Sequence, residues 1–297
     1  MELLQPSSLE ELDGASNNVL LAGGTDLVPL LRDGLVQAET LVDIREVVPR
    51  GIHEGAGRIG AGTTLAELEV DPEIPAALRE ACALAASPQL RSMGTIGGNL
   101  LQATRCWYWR LDFPCFLHGG SRCHAREGAH REHAIFGNER CASAHPSDPA
   151  AALLALGARV RTSRRELGLD ELYRLPTEDD RDVTALEPGE LILELEVPRP
   201  EASTYLKAMD RARWAFPLVG VAAARFETDA RAEPAHPHNG IASNAVDGVR
   251  LALAGVAPIP WRLESEADLD RATPLPGTAY KVELARPLLR RALQAVT

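Results

Sequence analysis

The chain has 297 residues, enough for two domains or one large core, and its 45% hydrophobic and 25% charged content is that of an ordinary globular protein. Lysine plus arginine (31) against aspartate plus glutamate (42) leaves a formal charge of −11, which argues against nucleic acid and anionic membranes as partners. No apolar run reaches the about 18 residues of a membrane span, and the acidic start MELLQPSSLEEL has no signal-peptide core. The sequence therefore predicts a cytoplasmic protein, periplasmic only if a signal-bearing partner carries it out folded.

The first elements follow a β-turn-α-β pattern. NNVLLAGG predicts a strand over Val19 to Ala22 ending in a glycine turn, TDLVPLLRDG a short helix closed by Gly34, and ETLVDI a second strand. Next, GIHEGAGRIGAGTTLAELE contains G-x-G-x-x-G at Gly55, Gly57 and Gly60. A dinucleotide fingerprint needs a preceding strand, a helix opening inside the motif, and an acidic strand end about 20 residues on. Here Gly55 to Gly57 predicts a tight turn between two short strands, and the helix starts later, at the capping box Thr64-x-x-Glu67. Glu80 has the right spacing but sits inside the helical run PAALREACALAA, so the fingerprint is rejected.

Residues 105 to 138 show little periodicity and are rich in Cys, Arg, His and Gly, and a loop this long needs something to organise it. After it, HPSDPAAALLALGARV predicts a helix capped by Ser147 or Asp148, with Pro149 in its first turn, running into a strand. From about Pro176, GELILELEVPRP, TYLKAM, WAFPLVGVAAARFE and VRLALAGVAPIPWR read as successive strands, and AYKVELARPLLRRALQAV as a closing helix. Such an order suggests an antiparallel sheet with helical cover.

Three features carry chemistry. The turns AGGTD (Ala22 to Asp26) and TIGGN (Thr95 to Asn99) lack side chains where backbone N–H groups could meet an anion. Either alone is weak, because glycine pairs are usually plain turns. One on each side of a β/α unit fits a pyrophosphate held between two loops. The third feature is the spacing C-x8-C-x7-C-x17-C over Cys106, Cys115, Cys123 and Cys141. Without an export signal it reads as metal binding before disulfides. The tight knuckles usual for zinc are missing, and wide spacing is easier to reconcile with a [4Fe–4S] cube, although zinc and unrelated thiols stay open on spacing alone. Cys82 reads as a small buried hydrophobe, and His118, His124, His130 and His133 as solvated loop residues. His236 and His238 lie in a proline-rich loop with no assigned role.

On these residues the chain resembles the FAD-binding medium subunit of the xanthine dehydrogenase and aldehyde oxidoreductase family of molybdenum hydroxylases. The resemblance runs over almost the whole length through AGGTDLVPLLR, IGAGTTLAEL, SPQLRSMGTIGGNLLQ, HPSDPAAALLALGA, LALAGVAPIPWR and YKVELARPLLRRAL. A narrower resemblance, through TRCWYWR, FPC, GGSRC, HAIFG and Cys141, is to the subgroup whose flavin subunit carries an extra [4Fe–4S] cluster in an inserted loop. Bacterial periplasmic-type aldehyde oxidoreductases have this loop, and 4-hydroxybenzoyl-CoA reductases a comparable one.

The resemblance implies an α+β fold: an FAD-binding domain over residues 1–175, in two α/β pieces (about 1–60 and 61–175, with the cluster loop at 105–141), and a C-terminal antiparallel sheet with helices over 176–297. It implies that Leu21, Ala22, Gly23, Gly24, Thr25, Asp26 and Leu27, with Thr95, Ile96, Gly97, Gly98 and Asn99, hold the FAD pyrophosphate through backbone amides. It matches Asp148 to an FAD-contacting aspartate and Lys281 to a lysine near the flavin, and makes Cys106, Cys115, Cys123 and Cys141 cluster ligands. The partners implied are a large subunit with the molybdenum cofactor, a small subunit with [2Fe–2S] clusters, and an external electron acceptor. Two other readings are a four-cysteine zinc scaffold without redox chemistry and a stand-alone flavin oxidase.

Overall fold

In the computed structural model, residues 1–12, 18–53, 57–227 and 248–297 are described. The chain opens with β1 (Glu2–Leu4), β2 (Val19–Leu21), helix α1 (Leu27–Arg32) and β3 (Thr40–Asp43). The three strands form a parallel sheet in the order β1-β3-β2. Parallel neighbours need a crossover, and α1 supplies it between β2 and β3. Gly34, just past the end of α1, takes φ +75°, a conformation that favours glycine. The β-turn-α-β reading holds, and β1 adds an exposed edge strand whose three residues are too few for a legible pattern.

β4 (Ile52–His53) and β5 (Arg58–Gly60) pair antiparallel, Ile52 with Ile59 and His53 with Arg58. This is the hairpin expected in place of a dinucleotide fingerprint; Gly55 itself lies outside the described residues. α2 (Leu65–Val70) starts at Thr64, which accepts from the Glu67 N–H while the Glu67 carboxylate accepts from the Thr64 N–H. α3 (Ala76–Leu84), α4 (Pro88–Arg91), α5 (Ile96–Leu100) and the single turn α6 (Trp107–Arg110) follow. Glu80, on α3, accepts from Tyr205 N and Thr204 Oγ1, so it ties a helix to a strand.

α7 (Asp148–Leu156) is capped by Ser147 Oγ, which accepts from Ala150 N. All nine of its residues are buried, as a helix apolar on every side requires. β6 (Arg159–Thr162), β7 (Glu166–Gly168), α8 (Leu169–Leu172) and β8 (Ile192–Glu196) complete an antiparallel sheet ordered β4-β5-β8-β6-β7. β8 reads in the sequence as the first strand of the C-terminal sheet. It instead sits between β5 and β6, because alternation fixes a strand's two faces and leaves its partners open.

The C-terminal sheet is antiparallel, ordered β12-β11-β10-β9, from β9 (Ala202–Ala208), β10 (Val219–Arg225), β11 (Val249–Ala254) and β12 (Trp261–Leu263). Val219, Val221 and Ala223 of β10 join the core under α9 (Tyr280–Val296), with Ala285, Leu288, Leu289 and Ala292. Ala222 and Ala224, on the other face, join the core containing α3 and α7. Covering on both faces explains why β10 is a nearly unbroken apolar run. Most of the segment between β10 and β11, with His236 and His238, lies outside the described residues. No helix among those described is long and apolar enough to cross a membrane.

Candidate functional site

A cavity of about 470 Å3 opens between the first sheet and the second, lined by residues 22–27, by Thr95, Gly97 and Gly98, and by Ala61, Gly62, Leu191 and Ile192. It brings the two glycine turns into one wall. A Cβ on Gly23 would lie 1.9 Å from Met93 O, so the first turn packs backbone to backbone against the residues leading into the second. A Cβ on Gly97 would lie 2.9 Å from Ala61 Cβ. Leu21, Ile96 and Asn99 are not in the wall: Leu21 ends β2, Ile96 is fully buried in the core, and Asn99 Oδ1 accepts from Ser147 Oγ (2.6 Å).

The two turns differ in what their amides do. The N–H groups of Gly23, Gly24, Thr25 and Asp26 donate to no other described residue. In the second turn, Ile96 N donates to Thr63 O (2.8 Å), Gly97 N to Ala61 O (2.9 Å), Gly98 N to Thr95 Oγ1 (3.2 Å) and Asn99 N to Thr95 O (2.8 Å). The turn expected at residues 22–26 thus has N–H groups without partners among the described residues, while in the turn at 95–99 four of the five N–H groups are used within the chain. Thr95 caps α5 by taking one N–H, that of Gly98, and the Thr63 and Ala61 carbonyls take the two before it. A pyrophosphate fits the first turn, where successive unbonded N–H groups meet a cavity.

Asp26 is at the N-cap of α1 yet makes no capping bond. Its carboxylate accepts from Ala103 N (2.7 Å) and is ion-paired with Arg105 (2.6 Å) and Arg110 (2.9 Å).

Asp148 and Lys281 lie away from this cavity. Asp148 is fully buried, bonded to Tyr205 Oη (2.5 Å) and paired with the buried Lys207 Nζ (2.7 Å). Burial raises its pKa and Lys207 opposes the rise. Lys281 Nζ donates to Glu132 O (2.8 Å) and Gly255 O (2.7 Å), and burial pulls its pKa down to about 7. Glu132 and Gly255 line a second cavity of about 280 Å3, together with Arg105, Cys106, His133, His145, Trp214 and Phe216. Lys281 therefore braces the wall of that second space.

Cys106, Cys115, Cys123 and Cys141 are free thiols, and Cys115 and Cys141 are buried. The Cys141 thiol hydrogen-bonds Cys123, holding Cys123 down to about 5 and pushing Cys141 up. Burial lifts Cys106 to about 11, with Cys115 and Cys123 near enough to add to the rise. Cys106 Sγ is 3.2 Å from His133 Nε2. His133 is buried, with Nδ1 unpartnered among the described residues and its pKa depressed to about 4 by burial; the solvated reading is wrong for this histidine. Among the described residues, no three His, Cys, Asp or Glu side chains close around one point as ligands of a single ion. The four cysteines expected as a metal site are thus gathered in one loop without forming a closed ligand set: Cys123 pairs with Cys141, and Cys106 with His133.

Sequence reasoning did not single out Arg45, Arg50, Gln102, Ala103 or Glu190, all in the wall of the larger cavity. Glu190 to Ile192 reach it only because β8 joins the second sheet, which no local signal specifies. Ala61 and Gly62 lie in IGAGTT, where a run of small residues was the available signal.

Residues 1–200 match the family described as the FAD binding domain in molybdopterin dehydrogenase. The chain is 36% identical over 277 residues to the aldehyde oxidoreductase FAD-binding subunit PaoB of Escherichia coli strain K12, covering 87% of this chain and 80% of that one. It is 35% identical over 111 residues to the nicotinate dehydrogenase FAD-subunit of Eubacterium barkeri, covering 33% and 38%. The fold matches a solved chain of carbon monoxide dehydrogenase from Hydrogenophaga pseudoflava with a TM-score of 0.66 at 24% identity, over 100% of this chain and 96% of that one.

Proposed function

The chain belongs to the FAD-binding medium subunits of the molybdenum hydroxylase family, and from that premise we propose that it is the electron-transfer subunit of a molybdenum-dependent aldehyde- or xanthine-type dehydrogenase. It takes electrons from [2Fe–2S] clusters on a small partner subunit, which receive them from a molybdenum cofactor on a large one, and passes them to an external acceptor. FAD, when bound, exchanges two-electron for one-electron chemistry. The observation that carries this reading is the row of unbonded amides, Gly23 to Asp26, in the wall of the larger cavity. Those amides hold the pyrophosphate. Leu191, Ile192, Ala61 and Leu101 supply the apolar wall that excludes water from the rest of the cofactor.

We assign the cysteine loop a [4Fe–4S] cluster, held by Cys106, Cys115, Cys123 and Cys141. Three facts support this: the thiols share one loop, they are neighbours of one another, and none is in a disulfide. Their wide spacing along the chain is easier to reconcile with a cube than with the tight knuckles usual for zinc. Trp107 and Tyr108, which pack on His133, keep water from Cys106.

The test is an anaerobic absorbance spectrum of the purified protein with FAD, iron and zinc quantified. About four irons and one FAD per chain, with negligible zinc, are expected from four-cysteine ligation. Stoichiometric zinc without flavin would replace this reading with a structural scaffold. One FAD with no iron after anaerobic iron and sulfide reconstitution would remove the cluster and leave the flavin assignment standing.

A further inference from the structure

The side chain of Asp26 is turned to a task that flavin binding by backbone amides does not require. An aspartate at a helix N-cap ordinarily accepts from its own helix; Asp26 does not. Its oxygens reach 77 to 84 residues along the chain, to Ala103 N, Arg105 and Arg110. The two arginines are also tied to the segment they belong to. Arg110 Nε donates to Thr104 O (2.8 Å), and Arg105 Nη2 to Gln102 Oε1 (3.0 Å). One carboxylate thus fixes the chain on both sides of Cys106, where the cysteine loop begins. The same residue contributes an unbonded N–H to the cavity wall, and Gln102 and Ala103 line that cavity too. All three charged side chains are less than a third exposed, so solvent screens them only in part.

Resting on the flavin reading above, we propose that Asp26 is a positioning residue that couples occupation of the first glycine turn to the order of residues 103–111, so that flavin binding and order at the mouth of the cysteine loop rise and fall together. The logic is linkage. A ligand on the amides of residues 23–26 favours the one conformation of the turn in which the carboxylate meets its arginines, and whatever orders the arginines favours the turn in return. The sign of a substitution is diagnostic. A carboxylate beside a bound pyrophosphate repels it, so if Asp26 acted through its backbone alone, Asp26→Asn would leave FAD affinity unchanged or raise it. Coupling requires the affinity to fall, because two half-buried guanidinium groups lose their counter-charge and the turn its anchor.

The experiment is hydrogen–deuterium exchange on the full-length protein as purified, stripped of flavin and titrated with FAD, with affinity read in parallel from flavin fluorescence. In the wild type, FAD slows exchange in residues 22–27 and also, by about fivefold or more, in 103–111. In Asp26→Asn, and in Arg110→Gln, whose side chain is outside both cavities, FAD affinity falls by about tenfold. FAD still slows exchange at 22–27 in these variants, and the response at 103–111 disappears. Arg110→Gln and Arg110→Lys leave the turn's own backbone intact and carry the test if Asp26→Asn does not fold. The coupling is overturned if the variants keep wild-type affinity, or if 103–111 responds to FAD equally in variants and wild type. It is also overturned if 22–27 responds in the wild type while 103–111 does not. No response at 22–27 in the wild type overturns the flavin reading along with it.

Discussion

The two glycine turns share a cavity wall and much of their composition, and they do opposite things. AGGTD leaves its amides unbonded and sends a side chain to a distant segment. TIGGN spends four of its five amides, those of Ile96 to Asn99, on Thr63, Ala61 and Thr95. Glycine is needed in both, for different reasons. At Gly23 and Gly97 there is no room for a Cβ; at Gly24, φ of +69° disfavours one. A glycine pair therefore marks a close approach of backbone, and only the hydrogen-bond accounting says whether the approach is to a ligand or to another part of the chain. On the proposed reading the first turn is the receptor and the second its frame.

If the second turn is a frame, damage to its supports should cost stability before it costs flavin. Asn99 of that turn is bonded to Ser147, the cap of α7, and the next residue, Asp148, is held by Lys207. Lys207→Met leaves a carboxylate buried without its partner, a change that costs about 3–5 kcal/mol. Chemical denaturation should show that loss, while FAD affinity in the surviving folded protein stays within about twofold. A selective loss of flavin at unchanged stability would instead return Asp148 to the cofactor site.

The next effect is one of pH. His145 lies behind the same turn, fully buried, with Nδ1 3.4 Å from Ser147 N, and burial depresses its pKa from 6.5 to about 4. The unfolded chain binds the extra proton first, so this contribution to stability is complete above pH 6.5 and is lost as pH falls through 6.5 toward 4. The loss is roughly 3 kcal/mol at the acid end. Thermal or urea unfolding of the wild type against His145→Gln between pH 4 and 7 measures it as the difference between the two slopes. Equal slopes would remove the histidine from the frame.

The glycines themselves give the sharpest contrast at smaller cost. Gly23→Ala forces the first turn away from Met93, and Gly97→Ala pushes α5 from Ala61; overpacking of this kind costs about 1–3 kcal/mol. The two should be read on two axes. Gly23→Ala is expected to lose FAD affinity more than melting temperature, and Gly97→Ala melting temperature more than FAD affinity. Matching losses on both axes in both variants would dissolve the distinction between receptor and frame.

Much of this was legible in the sequence, and the limits are physical. The β-turn-α-β start, the capping box at Thr64 and Glu67, the hairpin in place of a fingerprint, and Ser147 as a cap are local patterns, and local hydrogen bonding decides them. The placement of β8 was not legible, because alternation says nothing about which sheet receives a strand. The fate of the amides in TIGGN was hidden for a related reason: their acceptors at Ala61 and Thr63 lie more than 30 residues away. Asp26 could be read as part of the turn, but the use of its carboxylate depends on Arg105 and Arg110, which only folding brings to it. His133 reads as a loop residue because nothing in its neighbours' sequence says that the loop closes over it.

The smallest effect should be the most discriminating. Thr95→Val keeps shape and β-branching but removes the hydroxyl that accepts from Gly98 N. Loss of an N-cap of this kind costs about 1 kcal/mol of stability. It also frees the Gly98 amide at the cavity wall, while those of Ile96, Gly97 and Asn99 stay occupied. If free amides alone made a pyrophosphate site, the variant would bind FAD more tightly. The expectation is no gain, because an anion cradle needs successive free N–H groups, and the amides of Ile96 and Gly97 on one side of Gly98 and of Asn99 on the other are bonded. Titration of the variant with FAD beside its unfolding curve separates the two: a drop in stability at constant affinity leaves the receptor in the first turn alone, and a rise in affinity would make the second turn a latent half of the same site.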